Sequence, residues 1–139
     1  MLLVDTSGVL AALNDTQSRH DECAAALDAA TAPLLLSHFI LAELDYLIGE
    51  RVGEQARLAF LEEVEREAFR LEPFSATDLT AAVAVVRHYA DFALSLADAS
   101  IVVLSERYGV HDLLTLDERH FRVLRGAHGL PFRVLPADA

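Results

Sequence analysis

Short apolar runs of strand length alternate along this chain with longer segments of helical pattern. This alternation is typical of α/β domains, in which helices connect the parallel strands of one sheet. The first run has no polar residue within it, which predicts a strand that is buried on both faces. We therefore expect a central parallel sheet of four to five strands. The predicted strands are Leu2–Val4, Leu34–Leu36, Phe69–Leu71, Leu113–Thr115 and Phe132–Leu135.

Capping residues set the boundaries of the predicted helices. The segments Ser75-Ala-Thr-Asp78 and Ser95-Leu-Ala-Asp98 both match a capping box, in which a serine and an acid three residues later satisfy the free amides of a helix N-terminus. Gly109 fits the C-cap of the second of these helices. The predicted helices run from Thr6 or Ser7 to about Leu13, from about His20 to Ala30, from Ser37 to about Ile48 with its end near Gly49, from Glu54 to Glu67, from Ser75 to about Tyr89, and from Ser95 to about Tyr108.

Length and composition indicate one domain spanning residues 1–139. Apolar types make up 53% of the residues, which argues against disorder. Polar or charged residues interrupt every apolar stretch before it reaches the length of a membrane span. No basic region precedes the short apolar N-terminus, so we expect no secretory signal and a cytoplasmic location. The single cysteine, Cys23, excludes an internal disulfide and a cysteine-based zinc site.

The charged residues exclude several classes of function. The formal net charge is −11, whereas non-specific nucleic-acid binders usually carry a basic surface. A nuclease is compatible with this charge if metal ions compensate its acids, and an acidic surface also suits a basic protein partner. All eleven cationic residues are arginine. Because lysine is absent, the chain has no phosphate-binding P-loop and no Schiff-base chemistry, and a response-regulator receiver is disfavoured.

Two acids, Asp5 and Asp117, follow predicted strands. Parallel α/β sheets bind ligands at the carboxyl ends of their strands, so both acids fall where a site is expected. Asp5 could instead cap the next helix, but Thr6 and Ser7 can cap it themselves. Asp117 could belong to an ordinary charged turn, and Thr115 just before it could supply or orient an oxygen ligand.

Two further acids lie on predicted helices among apolar residues. Glu43 falls within an apolar stripe that includes Ile40 and Leu44, so we expect its carboxylate to be buried. A buried carboxylate needs a cation, and an arginine partner is the competing interpretation. Asp98 completes a capping box and is also flanked by apolar residues, so it can cap the helix, face a pocket, or do both. Asp45, Glu50 and Asp78 are interpreted as surface or capping residues, and Asp91 is left unassigned.

Gathered by the fold, these four carboxylates would form an oxygen-rich pocket that needs a divalent cation, which points to metal-dependent phosphodiester chemistry. Hard oxygen ligands favour Mg²⁺ or Mn²⁺ over zinc. No two histidines have the spacing of a zinc motif, and His38, His88 and His120 are interpreted as structural or exposed. The chain has neither a Gly-x-Ser-x-Gly elbow nor a glycine-rich dinucleotide loop.

Four segments resemble the motifs of PIN domains, most closely those of the VapC-type toxins of bacterial toxin–antitoxin pairs. They are Leu3-Val-Asp-Thr-Ser7, Ser37 through Leu44, Leu94-Ser-Leu-Ala-Asp-Ala-Ser100 and Leu114-Thr-Leu-Asp-Glu-Arg-His-Phe121. The segments occur in the family's order and cover almost the whole chain. The resemblance implies a three-layer α/β/α fold and a Mg²⁺- or Mn²⁺-dependent endoribonuclease. It also implies a homodimer and a cognate antitoxin that inhibits it, in a heterotetramer or a larger assembly.

The resemblance also implies roles for individual residues. Its catalytic and metal-binding acids carry over to Asp5, Glu43, Asp98 and Asp117. We interpret Asp5 and Asp98 as direct metal ligands, and Glu43 and Asp117 as ligands through water or as groups that orient the nucleophile. The supporting hydroxyls carry over to Thr6, Ser7 and Thr115. The arginines Arg119, Arg122 and Arg125 could position RNA phosphates or form a solvated basic turn.

Two other functions remain open from the sequence. The first is a non-catalytic domain of the same fold that binds RNA or a basic protein partner, with the acids serving only to capture it. The second is a DNA-directed nuclease of the flap-processing type, which is disfavoured because this chain lacks the additional helical clamp of those enzymes.

Overall fold

A five-stranded parallel sheet forms the centre of the computed structural model, which describes residues 1–139. Its strands are β1 (Leu2–Val4), β2 (Leu34–Leu36), β3 (Phe69–Leu71), β4 (Asp112–Leu114) and β5 (Arg133–Leu135). They lie in the order β3-β2-β1-β4-β5, and every pairing is parallel. The chain therefore starts at the central strand and adds strands on either side of it.

The register places the carboxyl ends of all five strands at one edge of the sheet. Leu3 of β1 lies opposite both Leu35 of β2 and Leu113 of β4. All three residues of β1 are buried, as predicted for a strand covered on both faces. Asp5 and Thr115 follow β1 and β4 directly, so they leave the sheet side by side.

Helices cover the sheet, and one hydrophobic cluster of buried residues includes members of all five strands. None of the helices is both long and apolar enough to cross a membrane. The helices are α1 (Thr6–Leu13), α2 (His20–Ala29), α3 (His38–Arg51), α4 (Glu54–Glu65), α5 (Ala76–His88), α6 (Leu96–Tyr108) and α7 (Glu118–Phe121), with 3₁₀ turns at Ala90–Phe92 and Ala127–Gly129.

Most predicted boundaries agree with the structure, including the two capping boxes at the starts of α5 and α6. The predicted end of α3 is wrong, because the helix continues through Gly49 to Arg51. A glycine inside a helix costs only about 1 kcal/mol, and the buried Ile48 holds this turn against the core. The chain reverses instead at Gly53, whose φ of 135° is open to glycine and rarely to other residues. The predicted strand over Leu113–Thr115 lies one residue earlier.

Gly8 lets α1 approach β4 closely. A Cβ atom at this position would lie 2.7 Å from the carbonyl oxygen of Leu114 and 2.6 Å from its Cγ atom. Both distances are shorter than real Cβ contacts, and the backbone oxygen cannot move aside. The absence of a side chain therefore holds the first turn of α1, with Thr6 and Ser7, against the end of β4.

Candidate active site

Three of the four predicted acids converge at the carboxyl edge of the sheet. Asp5 follows β1, Asp117 precedes α7, and Asp98 lies in the first turn of α6. The negative charge of Asp98 raises the pKa of Asp5, and the charge of Asp117 raises that of Asp98, so each acid is within electrostatic reach of the next. The fold thus assembles residues that are far apart in sequence into one acidic cluster.

Asp5 is the most deeply buried of these acids, with 6% of its surface exposed. Its Oδ2 atom accepts hydrogen bonds from the Thr115 hydroxyl at 2.6 Å and from the Ser7 hydroxyl at 3.1 Å. Asp5 occupies the N-cap position of α1 but makes no side-chain capping bond, so its carboxylate remains free for another role. Burial raises its pKa from the ordinary value of 3.8 to about 6, since the loss of solvation outweighs the hydrogen bond from Thr115.

The hydroxyls of Ser7 and Thr115 connect Asp5 to Asp117. They lie 3.2 Å from each other. The Asp117 backbone amide donates to the Thr115 hydroxyl at 2.9 Å, and the Leu116 amide donates to the Ser7 hydroxyl at 2.9 Å. Two of the three predicted hydroxyls therefore lie beside Asp5, where they fix the end of β4 relative to the end of β1.

Asp98 caps its helix and faces the acidic cluster at the same time. Its backbone amide donates to the Ser95 hydroxyl at 3.0 Å, while its Oδ2 atom accepts from the Ser95 amide at 3.3 Å. Burial raises the pKa of Asp98, partly opposed by the Ser95 hydrogen bond and by the charge of His120. The two interpretations of Asp98 are therefore both correct structurally.

His120 joins the cluster, although the sequence pattern gave it no role there. Its Nδ1 atom lies 2.9 Å from Oδ2 of Asp117 and 3.7 Å from Oδ2 of Asp98. Ligand atoms of these three residues all lie within 4.8 Å of one another, as around a single metal ion. The spacing of Asp117 and His120 could have predicted this contact. Asp117 is the N-cap residue of α7 and accepts a hydrogen bond of 3.1 Å from the His120 amide, so the third residue of the helix lies beside the capping carboxylate.

The burial predicted for Glu43 is wrong. Glu43 is exposed, and the buried face of α3 consists of Ile40, Leu44 and Ile48. Three- and four-residue spacings place a residue only within a broad arc of the helix, and Glu43 lies outside the buried part of that arc. It has no arginine partner, and its Oε1 atom accepts a hydrogen bond of 2.6 Å from the hydroxyl of Thr6. This bond places Glu43 beside the residue that follows Asp5.

The three predicted arginines differ in their availability. Arg122 forms ion pairs with Glu118 at 2.8 Å and Asp138 at 2.7 Å, so its charge is already compensated. Arg125 donates to backbone carbonyl groups of the three preceding residues. Arg119 is exposed and forms no ion pair, which leaves it the best placed of the three to bind a phosphate. Asp91 is exposed on a 3₁₀ turn.

The donor set of the cluster fits a hard divalent cation. No arginine forms an ion pair with Asp5, Asp98 or Asp117, although ten other carboxylates have such a partner within 4 Å: Asp45, Glu54, Glu62, Glu63, Glu72, Asp78, Glu22, Asp112, Glu118 and Asp138. Gathered carboxylates without a protein cation are the ligands that Mg²⁺ and Mn²⁺ prefer. Burial raises the pKa of Asp5, and no arginine lies close enough to offset that loss of solvation.

The fold and the acids together define an α/β domain with an acidic cluster at the carboxyl edge of a parallel sheet, the edge at which such sheets bind ligands. The chain belongs to the PIN domain family, whose sequence model matches residues 2–126. The family resemblance and the three-layer α/β/α fold expected from it are thereby confirmed.

Two mycobacterial proteins are similar to the chain. It is 38% identical over 135 residues to Ribonuclease VapC26 of Mycobacterium tuberculosis (strain ATCC 25618 / H37Rv), covering 97% of this chain and 100% of the relative. The crystal structure of Mycobacterium tuberculosis VapC20, described as a sarcin–ricin loop cleaving toxin, matches with a TM-score of 0.78 and 21% identity. That match covers 84% of this chain and 90% of the other. At this identity it supports the fold alone.

Proposed function

We propose that this protein is a metal-dependent endoribonuclease and the toxin of a toxin–antitoxin pair. One observation carries the chemistry: Asp5, Asp98 and Asp117 converge at the carboxyl edge of the sheet with no arginine to neutralise them. The 38% identity to a ribonuclease over nearly the full length supports RNA as the substrate. Residues 1–139 act as a single nuclease domain.

The residues of the site divide the work of hydrolysis among them. Bound Mg²⁺ or Mn²⁺ would supply the Lewis acidity that activates water and stabilises charge on the scissile phosphate. Asp5 and Asp98 hold the cation, and the hydroxyls of Ser7 and Thr115 fix the Asp5 carboxylate in place. Asp117, whose amide is held by the Thr115 hydroxyl, contributes through water or by orienting the nucleophile. Water attacks the scissile phosphorus in line as the bond to the 3′ oxygen breaks, which leaves a 5′-phosphate and a 3′-hydroxyl and requires no covalent enzyme intermediate.

Glu43 has a supporting role that follows from its exposure. Its carboxylate is held by Thr6 at the rim of the site, where solvent reaches it. Glu43 therefore orients the attacking water or a hydrated ion, while the buried Asp5 binds the metal directly.

The RNA and protein partners follow from the distribution of charge. Arg119 lies two residues after Asp117 and has no ion pair, so we assign it a contact with a phosphate of the RNA. The net charge of −11 disfavours non-specific RNA binding and suits a basic antitoxin. The protein acts in the cytoplasm as a homodimer, and the antitoxin binds it in a heterotetramer or a larger complex.

Cleavage of structured RNA tests the proposal. Wild-type protein should cleave with Mg²⁺ or Mn²⁺ and not with excess chelator, while Asp5→Asn and Asp98→Asn should each reduce cleavage about a hundredfold or more, because even groups behind the ligands contribute 10–100-fold. Asp78→Asn is the matched control, since Asp78 completes an equivalent capping box on α5 away from the acidic cluster. Equal cleavage by wild type, Asp5→Asn and Asp98→Asn would contradict the proposed mechanism.

The non-catalytic alternative makes a different prediction in the same assay. A domain that only captures RNA or a basic protein would bind structured RNA without turnover, even with Mn²⁺. A nuclease of the DNA-directed type would cleave DNA flaps in preference to RNA. Either result would replace the proposed activity while leaving the family assignment intact.

A further inference from the structure

The imidazole of His120 borders the space that a cation bound to both Asp98 and Asp117 would occupy. Its Nδ1 atom is 2.9 Å from one carboxylate and 3.7 Å from the other. Neighbouring ligand atoms of an octahedral ion with bonds of about 2.1 Å lie about 3 Å apart. The three side chains are therefore spaced as ligands of one ion, and one of the three donor atoms is nitrogen.

The ring is held in this position by the local backbone. The His120 amide donates to Oδ1 of Asp117 at 3.1 Å, so the same residue presents its ring to Oδ2. Asp117 is in turn fixed through its own amide by the Thr115 hydroxyl. A cation binding here needs no rearrangement of the chain to meet the imidazole.

The Nδ1 lone pair can be made available without a change in charge. Nε2 forms no hydrogen bond with the protein, and the side chain is 22% exposed, so the N–H group of a protonated Nε2 can donate a hydrogen bond to solvent. In that neutral tautomer Nδ1 is unprotonated and can bind a metal. In the other tautomer, Nδ1–H donates to Asp117 and bridges the two carboxylates.

We propose that His120 is a nitrogen ligand of the metal ion at this site, and that the mixed nitrogen and oxygen ligands make the site select Mn²⁺ over Mg²⁺. The inference rests on the proposed function, in that it assumes a divalent cation among the acids. Carboxylates alone suit both ions, whereas imidazole binds transition metals and is a poor ligand for Mg²⁺. The metal preference of this protein therefore depends on a residue outside the four acids.

A purely structural role for His120 is the competing explanation. In that case the ring only orients Asp117 through a hydrogen bond, as outer residues of metal sites often do. The two roles are separable because asparagine can keep the hydrogen bond to Asp117 through its amide but offers no imidazole nitrogen.

The experiment is pulsed electron paramagnetic resonance of Mn²⁺ bound to the metal-stripped protein. Wild type should show coupling between the Mn²⁺ electrons and a directly bound ¹⁴N nucleus, and ¹⁵N-labelled histidine should convert this signal to that of ¹⁵N. His120→Asn should abolish the coupling and lower Mn²⁺ affinity about tenfold or more, with Mg²⁺ affinity measured by competition nearly unchanged. His128→Asn is the matched control, because His128 is exposed at a φ of 59° that asparagine tolerates.

The possible failures have distinct meanings. Mn²⁺ bound without nitrogen coupling, or an equal loss of Mn²⁺ and Mg²⁺ affinity in His120→Asn, overturns the inference and leaves the metal-dependent mechanism standing. No Mn²⁺ bound by the wild type overturns both. The isotope experiment uses unmutated protein, so it decides the question even if His120→Asn does not fold.

Discussion

Two nearly buried carboxylates in this protein have opposite surroundings. Glu72, which follows β3, is 3% exposed. It forms an ion pair with Arg70 Nε at 2.6 Å, accepts a hydrogen bond from the Tyr108 hydroxyl, and lies 3.8 Å from Arg107. Asp5, which follows β1, is 6% exposed. Its side chain accepts hydrogen bonds from the hydroxyls of Ser7 and Thr115, and the carboxylate of Asp98 lies nearby. Both residues follow strands of the same sheet, yet only Glu72 has arginine partners.

The difference distinguishes a structural carboxylate from a functional one. Around Glu72 the two arginines also lie over the ring of Tyr108, at 5.4 and 5.9 Å from its centroid, so cation–π contacts accompany the ion pairs. Around Asp5 the burial cost of the charge is left uncompensated, which stabilises nothing by itself. Under the proposed function an external cation completes the site at Asp5, and four measurements can test this contrast between the two carboxylates.

The largest expected effect is the pH dependence of stability caused by Asp5. The folded pKa of about 6 exceeds the ordinary 3.8, so the native state holds a proton that the unfolded state releases between these values. Stability of metal-free protein should therefore fall as pH rises from about 4 to 7, by about 3 kcal/mol from this group. Urea unfolding in chelator, compared between wild type and Asp5→Asn, measures it.

Asp5→Asn serves as its own control in that comparison. The variant should match wild type near pH 4 and exceed it near pH 7.5, because asparagine carries no charge to desolvate. Adding Mn²⁺ at pH 7.5 should stabilise wild type and leave Asp5→Asn nearly unaffected. A wild-type protein that gains stability relative to Asp5→Asn as the pH rises would show that Asp5 is compensated from within the protein.

Glu72→Gln should have the opposite consequence. It removes the charge that holds Arg70 and Arg107 but keeps the shape of the side chain, so we expect a loss of about 2 kcal/mol in unfolding free energy. Metal affinity of the folded protein should not change. Chemical denaturation measures the unfolding free energy. Titration of the folded protein with Mn²⁺, at denaturant concentrations below the unfolding transition, measures the metal affinity. A loss of metal affinity equal to that of Asp5→Asn would mean that the two regions are not independent.

Thr115→Val should have a smaller effect on both properties. Valine has the same shape as threonine but cannot donate to Asp5 or accept from the Asp117 amide. We expect a loss of about 1.5 kcal/mol in stability and a further rise in the pKa of Asp5, because the lost hydrogen bond lowers that pKa. Unfolding and the pH profile of metal binding report these two changes. Thr80→Val is the control, because it removes the hydroxyl of an exposed threonine on α5.

Arg119→Gln should have the smallest effect, confined to RNA. Removing one phosphate contact should weaken RNA binding about fivefold and reduce the salt dependence of the logarithm of affinity by about one unit. Arg66→Gln is the control, since Arg66 is already paired with Glu62 and Glu63. Binding of uncleaved RNA to the Asp98→Asn protein at several salt concentrations measures the effect. Equal slopes for the two variants would exclude a specific role for Arg119.

Local sequence rules predicted the fold well where one signal dominated. The strands were apolar runs too short to be helices, and Ser75 and Ser95 marked helix starts that the structure reproduces as complete capping boxes. The rule failed at Gly49, where a glycine within the pattern was interpreted as a stop although packing of Ile48 keeps the turn helical. The turn was set by Gly53, which needs a positive φ that no local pattern revealed.

The site was harder to predict, because contact across the fold decides it. Asp5 and Asp117 were found from their positions after strands, a feature that survives in any parallel sheet. The prediction that Glu43 is buried is wrong, because helix periodicity alone does not show which part of a broad helix face is buried. His120 was missed because its partner Asp98 lies far away in sequence and only the assembled sheet brings them together. The resemblance to PIN domains supplied the grouping that residue patterns lacked.

The hydrogen bond from Thr115 to Asp5 joins residues 110 positions apart. It cannot form until β4 has paired with β1, and Gly8 ties α1 to that pairing through Leu114. Contacts of such separation close late, since the intervening chain must first be ordered. A chain still emerging from the ribosome therefore carries Asp5 long before it carries Asp98 and Asp117, so the acidic cluster assembles only after most of the chain has been made.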